Sequence, residues 1–165
     1  MLTPPLTDPP VMQTSTFETI RALIGRTCLA LDNEDYASFL SHCSPTFTYR
    51  ITANSPEIDK EMVWLEHDRA GYEALLKMLP RHIRLQGGFA RHAILCDIIP
   101  GDRGLKRAIS QLMVIHTGTS GESTLLLSGR YVDDIAFPID EAPLIQSREV
   151  RLDTRLLGPG IHTPI

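Results

Sequence analysis

The best candidates for acid–base chemistry in this sequence are Asp32, Tyr36, Tyr49 and His92. A partly desolvated carboxylate or imidazole can transfer protons near neutral pH, and a tyrosine hydroxyl can polarise a carbonyl group. Asp32 and His92 would form an acid–base pair if the fold brought them into one cavity. A structural interpretation is also open, in which Asp32 ends a helix and His92 hydrogen-bonds at a subunit interface.

Cysteine and histidine are present, but not at the spacing that a metal site requires. A mixed cysteine–histidine iron–sulfur cluster needs C-x-H and C-x-x-H pairs, and no histidine follows Cys28, Cys43 or Cys96 at those offsets. A mononuclear iron site needs two histidines and a carboxylate that converge, and His67-Asp68 is the only tight pairing. The sequence therefore predicts that this chain binds no metal.

Composition and missing motifs exclude other classes of function. The net charge is −4, which disfavours nucleic-acid binding because there is no excess of cations to neutralise phosphates. No glycine-rich phosphate-binding motif and no G-x-S-x-G are present. The three cysteines form no C-x-x-C pair, which favours reduced thiols in the cytoplasm. No signal peptide or apolar run of membrane-spanning length is visible, so we expect no membrane contact.

The elements that must position the candidate residues begin with helices. Ser15 or Thr16 is predicted to cap a first helix that ends near Asp32-Asn33. Its apolar face repeats at steps of three and four, through Phe17, Ile20, Ile24, Cys28 and Leu31. A second helix over residues 36–40 is predicted to stop at Ser44-Pro45, and a third apolar stripe, Tyr72, Leu75, Leu76 and Leu79, is predicted to stop at Pro80.

Strands dominate the rest of the chain. Short strands are predicted at residues 46–51 and 62–66, and long ones at 89–99, 105–117, 122–135 and 144–154. Their order predicts an α+β fold with helices packed on one face of a curved, mainly antiparallel sheet. Four prolines within residues 1–12 predict a flexible arm, so residues 13–165 form the single expected domain.

The last predicted strand is strongly charged. By strand periodicity its outward positions share one face, and they are Glu149, Arg151, Asp153 and Arg155. Alternating charges of this kind suit a solvated face. They also suit a polar subunit interface, where complementary pairs would set register more than affinity.

Several segments in order resemble one known family, the small (beta) subunits of Rieske-type ring-hydroxylating dioxygenases and monooxygenases. The segments that carry the resemblance are 31–40, 47–51, the Arg91-His92 pair, the Gly-x-Tyr-x-Asp strand at 128–133, and the ending at 151–157 and 164–165. The family has the NTF2-like (SnoaL-like) cone. Two features depart from it: Cys96-Asp97 stands where many members have Asn, and residues 158–162 resemble alkylsulfonate-type monooxygenases.

The resemblance implies a structural, non-redox subunit that is not catalytic on its own. The Rieske [2Fe-2S] cluster and the mononuclear iron would lie in a large (alpha) subunit, and the small subunits would assemble as a trimer through an interface that includes Arg91. The alternative is a stand-alone NTF2-like dehydratase, cyclase or isomerase, or a small-molecule binding protein. That alternative would use Asp32 and His92 in the cone, with Tyr36 or Tyr49 polarising a carbonyl.

Overall fold

The computed structural model describes residues 11–57, 59–82, 84–156 and 164–165. Its helices are α1 (Val11–Asp32), α2 (Tyr36–Ser41) and α3 (Arg69–Met78), and a short 3₁₀ turn, Leu79–Arg81, follows α3. Asp35 caps α2 by accepting a hydrogen bond from the Ser38 amide at 3.0 Å. Helix α1 begins at Val11, before the predicted cap at Ser15 or Thr16, and residues 1–10 of the predicted arm lie outside the described residues.

The strands form one six-stranded sheet in the order β2-β1-β6-β5-β4-β3. They are β1 (Cys43–Ser55), β2 (Lys60–Asp68), β3 (Gly88–Pro100), β4 (Lys106–Thr117), β5 (Ser123–Ala136) and β6 (Leu144–Leu152). Strands β3 to β6 form an antiparallel meander, and β2 pairs antiparallel with β1. The pairing of β1 with β6 is parallel. The predicted α+β class is confirmed, with every predicted strand present.

The structure corrects the predicted boundary between the second helix and the first strand. Helix α2 already ends at Ser41, and Ser44 and Pro45 belong to strand β1. The pairing of β1 with β6 is irregular between Cys43 and Thr48. Proline has no amide hydrogen to donate to a strand ladder, so it is tolerated at such an irregularity.

The core lies between the helices and the inner face of the sheet. Phe39 from α2, Phe47 and Tyr49 from β1, and Tyr72 from α3 form an aromatic cluster whose ring centroids are 4.7–6.5 Å apart. All four rings are almost completely buried. Burying side chains of this size contributes about 1.5–3 kcal/mol each before the entropy cost of ordering them. The opposite face is the outer face of the sheet, and it carries exposed polar side chains such as His92, Arg130 and Arg151.

Candidate functional site

The centre of the cone holds a buried ion pair between strands β5 and β6. Arg148 donates from Nε to Oδ1 of Asp133 at 2.8 Å and from Nη2 to Oδ2 at 2.9 Å. Both side chains are 0% exposed. The Nη2 atom also donates to Thr27 Oγ1 at 3.2 Å, and the guanidinium carbon lies 4.0 Å from the centroid of the Tyr131 ring. Burial alone would lower the pKa of Arg148, but the Asp133 carboxylate raises it well above its ordinary value.

The Gly-x-Tyr-x-Asp segment of β5 builds this pair. Tyr131 and Asp133 point inward from alternate positions, and both contact Arg148. Gly129 allows β6 to approach closely, since a Cβ atom there would lie 2.3 Å from the carbonyl oxygen of Arg151. The motif therefore has a packing role at each of its three positions.

A second cluster joins the end of α1 to β3 and to the last residues of the chain. The Asp32 carboxylate accepts from Arg91 Nη1 at 2.5 Å and from the Arg91 amide at 3.0 Å. Arg91 Nη2 donates to the carbonyl oxygen of Pro164. The Arg91 side chain is only 2% exposed, so a buried guanidinium is paired here with a partly exposed carboxylate. This geometry fixes the orientation of Arg91, and the Asp32 carboxylate is already hydrogen-bonded to Arg91.

The two tyrosine candidates lie on the inner side of the fold. The Tyr49 hydroxyl donates to the carbonyl oxygen of Ile165 and accepts from the Ile165 amide, both at 3.1 Å. Burial raises the pKa of Tyr49 to about 12. Burial, with a smaller effect from Glu34, also raises the pKa of Tyr36. The Tyr49 hydroxyl therefore holds the chain end at neutral pH.

His92 follows Arg91 on β3 and points to the outer face, because consecutive strand residues alternate. It is exposed, whereas Arg91 is buried. His92 and Asp32 both line an open depression of about 410 Å³ beside β3, together with the exposed apolar side chains of Leu29, Ile94 and Met113. The structure therefore brings both residues to one edge of the sheet, while the Asp32 carboxylate is bound to Arg91 instead of facing His92.

The predicted charged face is only partly present. Strand β6 ends at Leu152, so Asp153 and Arg155 leave the strand and do not continue the row of Glu149 and Arg151. Arg155 instead bonds Glu57 at 2.6 Å. Arg151 bonds Glu149 at 3.0 Å on the outer face.

Arg91 was expected at a subunit interface. Its side chain is buried within the protomer and bonded to Asp32 and Pro164, and its role at an interface stays a prediction. Reasoning from the sequence also missed the ion pair of Asp133 with Arg148. The available signal was Arg148 itself, which shares its face of β6 with the buried apolar residues Val150 and Leu152.

The described part of the chain has neither a metal-binding cluster nor a membrane-spanning helix. There, no group of three histidine, cysteine, aspartate or glutamate side chains is arranged to hold a metal ion. No helix within the described ranges has the length and apolar character needed to cross a membrane.

Comparison with known proteins gives relatives that span the chain. No family model matches it. It is 33% identical over 176 aligned residues to the methanesulfonate monooxygenase hydroxylase subunit beta of Methylosulfonomonas methylovora, covering 100% of this chain and 97% of that protein. It is 32% identical over 135 residues to the 2-aminobenzenesulfonate 2,3-dioxygenase subunit beta of Alcaligenes sp., covering 82% of this chain and 89% of that protein.

A solved structure shows the same fold. A chain from Novosphingobium aromaticivorans DSM 12444, assigned as the beta subunit of an aromatic-ring-hydroxylating dioxygenase, matches with a TM-score of 0.78 at 17% identity. The match covers 93% of this chain and 99% of that one. It confirms the predicted cone of helices on a curved sheet.

Proposed function

The chain belongs to the family of beta subunits of ring-hydroxylating and sulfonate oxygenases, and from this we propose that it is the structural, non-redox small subunit of such an oxygenase. Its partner is a large (alpha) subunit that carries the Rieske [2Fe-2S] cluster and the mononuclear iron. The small subunits associate as a trimer and support the assembly of the large subunits.

The observation that carries this proposal is the filled centre of the cone. An enzyme of this fold needs room for a substrate between the helices and the sheet. Here that space holds Tyr49, Tyr72, Tyr131 and the Arg148–Asp133 pair, whose members are each at most 1% exposed. A buried pair with both carboxylate oxygens bonded is suited to fixing the packing of β5 against β6, since a buried charge is tolerated only when it is paired.

The substrate of the complex is proposed to be a sulfonate. Both curated relatives have a sulfonate in their names, one aliphatic and one aromatic. The two relatives of this chain are named for one class each. We therefore expect the active site of the large subunit to select between aliphatic and aromatic sulfonates.

Co-expression with an oxygenase large subunit tests the proposal. We expect the two chains to co-purify, with iron and acid-labile sulfide present in the complex. We expect the isolated chain to contain no stoichiometric iron and to have, by light scattering, three times the 18.4 kDa mass of one chain. Stoichiometric iron in the isolated chain, or failure to bind any large subunit of this class, would contradict the proposal.

The stand-alone enzyme receives less support from the geometry. Asp32 would have to give up its bonds to Arg91 before it could accept a proton from a substrate. The discriminating variants are Asp32→Asn and His92→Ala in the assembled oxygenase. If the chain is structural, His92→Ala leaves turnover by the complex unchanged, whereas an acid–base role predicts a loss of 100-fold or more.

A further inference from the structure

The outer face of the sheet contains a groove with unpartnered groups. It has a volume of about 230 Å³ and is lined on β3 to β5 by His92, Ile94, Gln111, Met113 and Arg130, and just beyond the end of β6 by Asp153. Ile94 and Met113 are 58% and 44% exposed, which is high for large apolar side chains on a strand. The groove thus combines an apolar floor with one basic and one acidic side chain.

Arg130 is the cation of this groove, and it forms no ion pair with the Asp153 carboxylate that also lines the groove. It lies directly opposite Arg151 in the pairing of β5 with β6, and both side chains are exposed. Arg151 is bonded to Glu149, whereas Arg130 has no ion pair or hydrogen bond from its side chain to any described residue. Like charges directly opposite each other on neighbouring strands are destabilising. An acidic group placed beside Arg130 would therefore relieve repulsion as well as form a new pair.

A complementary feature protrudes from the same chain, in the connection between β5 and β6. Residues 137–141 of this connection include Ile139, which is 89% exposed, and Phe137, which is 41% exposed. Two exposed acids, Asp140 and Glu141, follow Ile139, and neither forms an ion pair with any other residue that the structure describes. Lys106 lies 6.0 Å from the Phe137 ring, at the base of the loop. The tip is therefore both apolar and acidic.

The groove lies at the middle of β5, whereas the loop follows the last residue of that strand. Six residues of strand lead from Arg130 to Ala136, and they span about 20 Å. The loop therefore does not reach the groove of its own sheet. The match of surfaces points instead to a contact between two chains.

We propose that the groove of one chain receives residues 137–141 of a second copy. Ile139 covers Ile94 and Met113, and Asp140 or Glu141 pairs with Arg130. The contact is head-to-tail, because different surfaces of the two copies meet, and a head-to-tail contact that closes on itself forms a ring. This inference rests on the proposed trimer and deepens it by naming the two surfaces that close the ring.

Charge reversal tests the contact in the full-length chain. Light scattering and sedimentation should show that Arg130→Glu weakens self-association at least tenfold. The double variant Asp140→Arg with Glu141→Arg should weaken it to a similar extent. Combining all three substitutions should restore at least part of the lost affinity, because the pairing is re-formed with reversed sign. Arg26→Glu, at an exposed arginine on α1, is the matched control and should leave the trimer unchanged.

The outcomes separate this inference from the proposed function. If Arg130→Glu and the loop variant are folded by circular dichroism and remain trimeric, the groove contact is wrong and the subunit assignment stands. If the wild-type chain is monomeric and Arg130→Glu abolishes only its binding to the large subunit, the groove is filled by that subunit, which also overturns the contact between copies. A chain that neither self-associates nor binds a large subunit overturns both.

Discussion

Arg148 and Asp133 bond to each other through two hydrogen bonds, of 2.8 and 2.9 Å, at a point where neither side chain has any exposure to solvent. Removing two charges from water is costly, and their attraction compensates only when the geometry is good and the remaining groups are bonded. The pair meets the first condition through its bidentate geometry. The pair joins β5 to β6. The hydrogen bond from Arg148 to Thr27 also connects these strands to helix α1.

Removing one partner of this pair should therefore destabilise the chain strongly. Asp133→Asn leaves the Arg148 charge buried without a carboxylate, and we expect it to lower the free energy of unfolding by about 3–5 kcal/mol. Urea denaturation followed by circular dichroism measures this. Arg155→Met, which removes an exposed pair with Glu57, is the control and should leave the denaturation midpoint within experimental error.

A paired substitution sharpens this prediction. Arg148→Met combined with Asp133→Leu removes both charges, so the double variant should be more stable than Asp133→Asn alone. A double variant as unstable as the sum of the two single substitutions would show that the two charges are not energetically coupled, which contradicts this prediction.

Gly129 should not tolerate a side chain. A Cβ atom would lie 2.3 Å from the Arg151 carbonyl oxygen and 3.0 Å from Leu152 Cα, and both are backbone atoms of β6. We expect Gly129→Ala to lower the free energy of unfolding by about 1–3 kcal/mol, as overpacking does.

The matched control for Gly129→Ala is Gly25→Ala, in α1, where the added Cβ would meet nothing within 4 Å. Alanine is favoured over glycine within a helix by roughly 0.5–1 kcal/mol, so this variant should be slightly stabilised. Equal effects of the two substitutions on the denaturation midpoint would refute the clash at Gly129.

Local patterns were sufficient to predict most of the fold from the sequence. Each helix buries one stripe, such as Tyr72 and Leu76 in α3, and strands β3, β4 and β6 end at or directly before Pro100, Gly118 and Asp153. The parallel pairing of β1 with β6 was not predictable in this way. It brings together residues such as Thr52 and Glu149, which are 97 positions apart, and local periodicity carries no information about such a contact.

The candidate site was harder to predict than the fold. Asp32 and His92 do lie near one another at the edge formed by α1 and β3. The chemistry open to Asp32 depends on Arg91, whose side chain points inward and forms an ion pair with the Asp32 carboxylate. A sequence pattern can indicate which face a residue occupies, but it does not indicate which partner neutralises a buried charge.

The three cysteines should differ sharply in reactivity. Burial raises the pKa of Cys28 to about 11 and that of Cys43 to about 12, whereas Cys96 is exposed. Since the thiolate is the nucleophile, Ellman's reagent at pH 8 should titrate one thiol rapidly in the native chain and three after denaturation. Cys96→Ser should abolish the rapid phase, and a rapid phase that persists in this variant would show that Cys28 or Cys43 is accessible.

Stability should decline at alkaline pH through Tyr49. Burial raises its pKa from 10.0 to about 12 in the folded chain, so the unfolded state loses this proton first. The contribution is fully present below pH 10.0 and is lost as the pH rises towards 12. A shift of this size corresponds to roughly 2–3 kcal/mol. Cys28 and Cys43 act in the same direction from their ordinary value of 9.0 upwards.

Urea unfolding between pH 8 and pH 11.5 measures the decline, and Tyr49→Phe separates the contribution of Tyr49 from those of the thiols. The variant loses both hydrogen bonds to Ile165, so it should be less stable than the wild type at pH 8. Because phenylalanine does not ionise, its stability should fall less steeply above pH 10. Parallel curves for the two proteins would mean that Tyr49 ionises at its ordinary pKa in the folded chain, and hence that its hydroxyl is not buried as the structure shows.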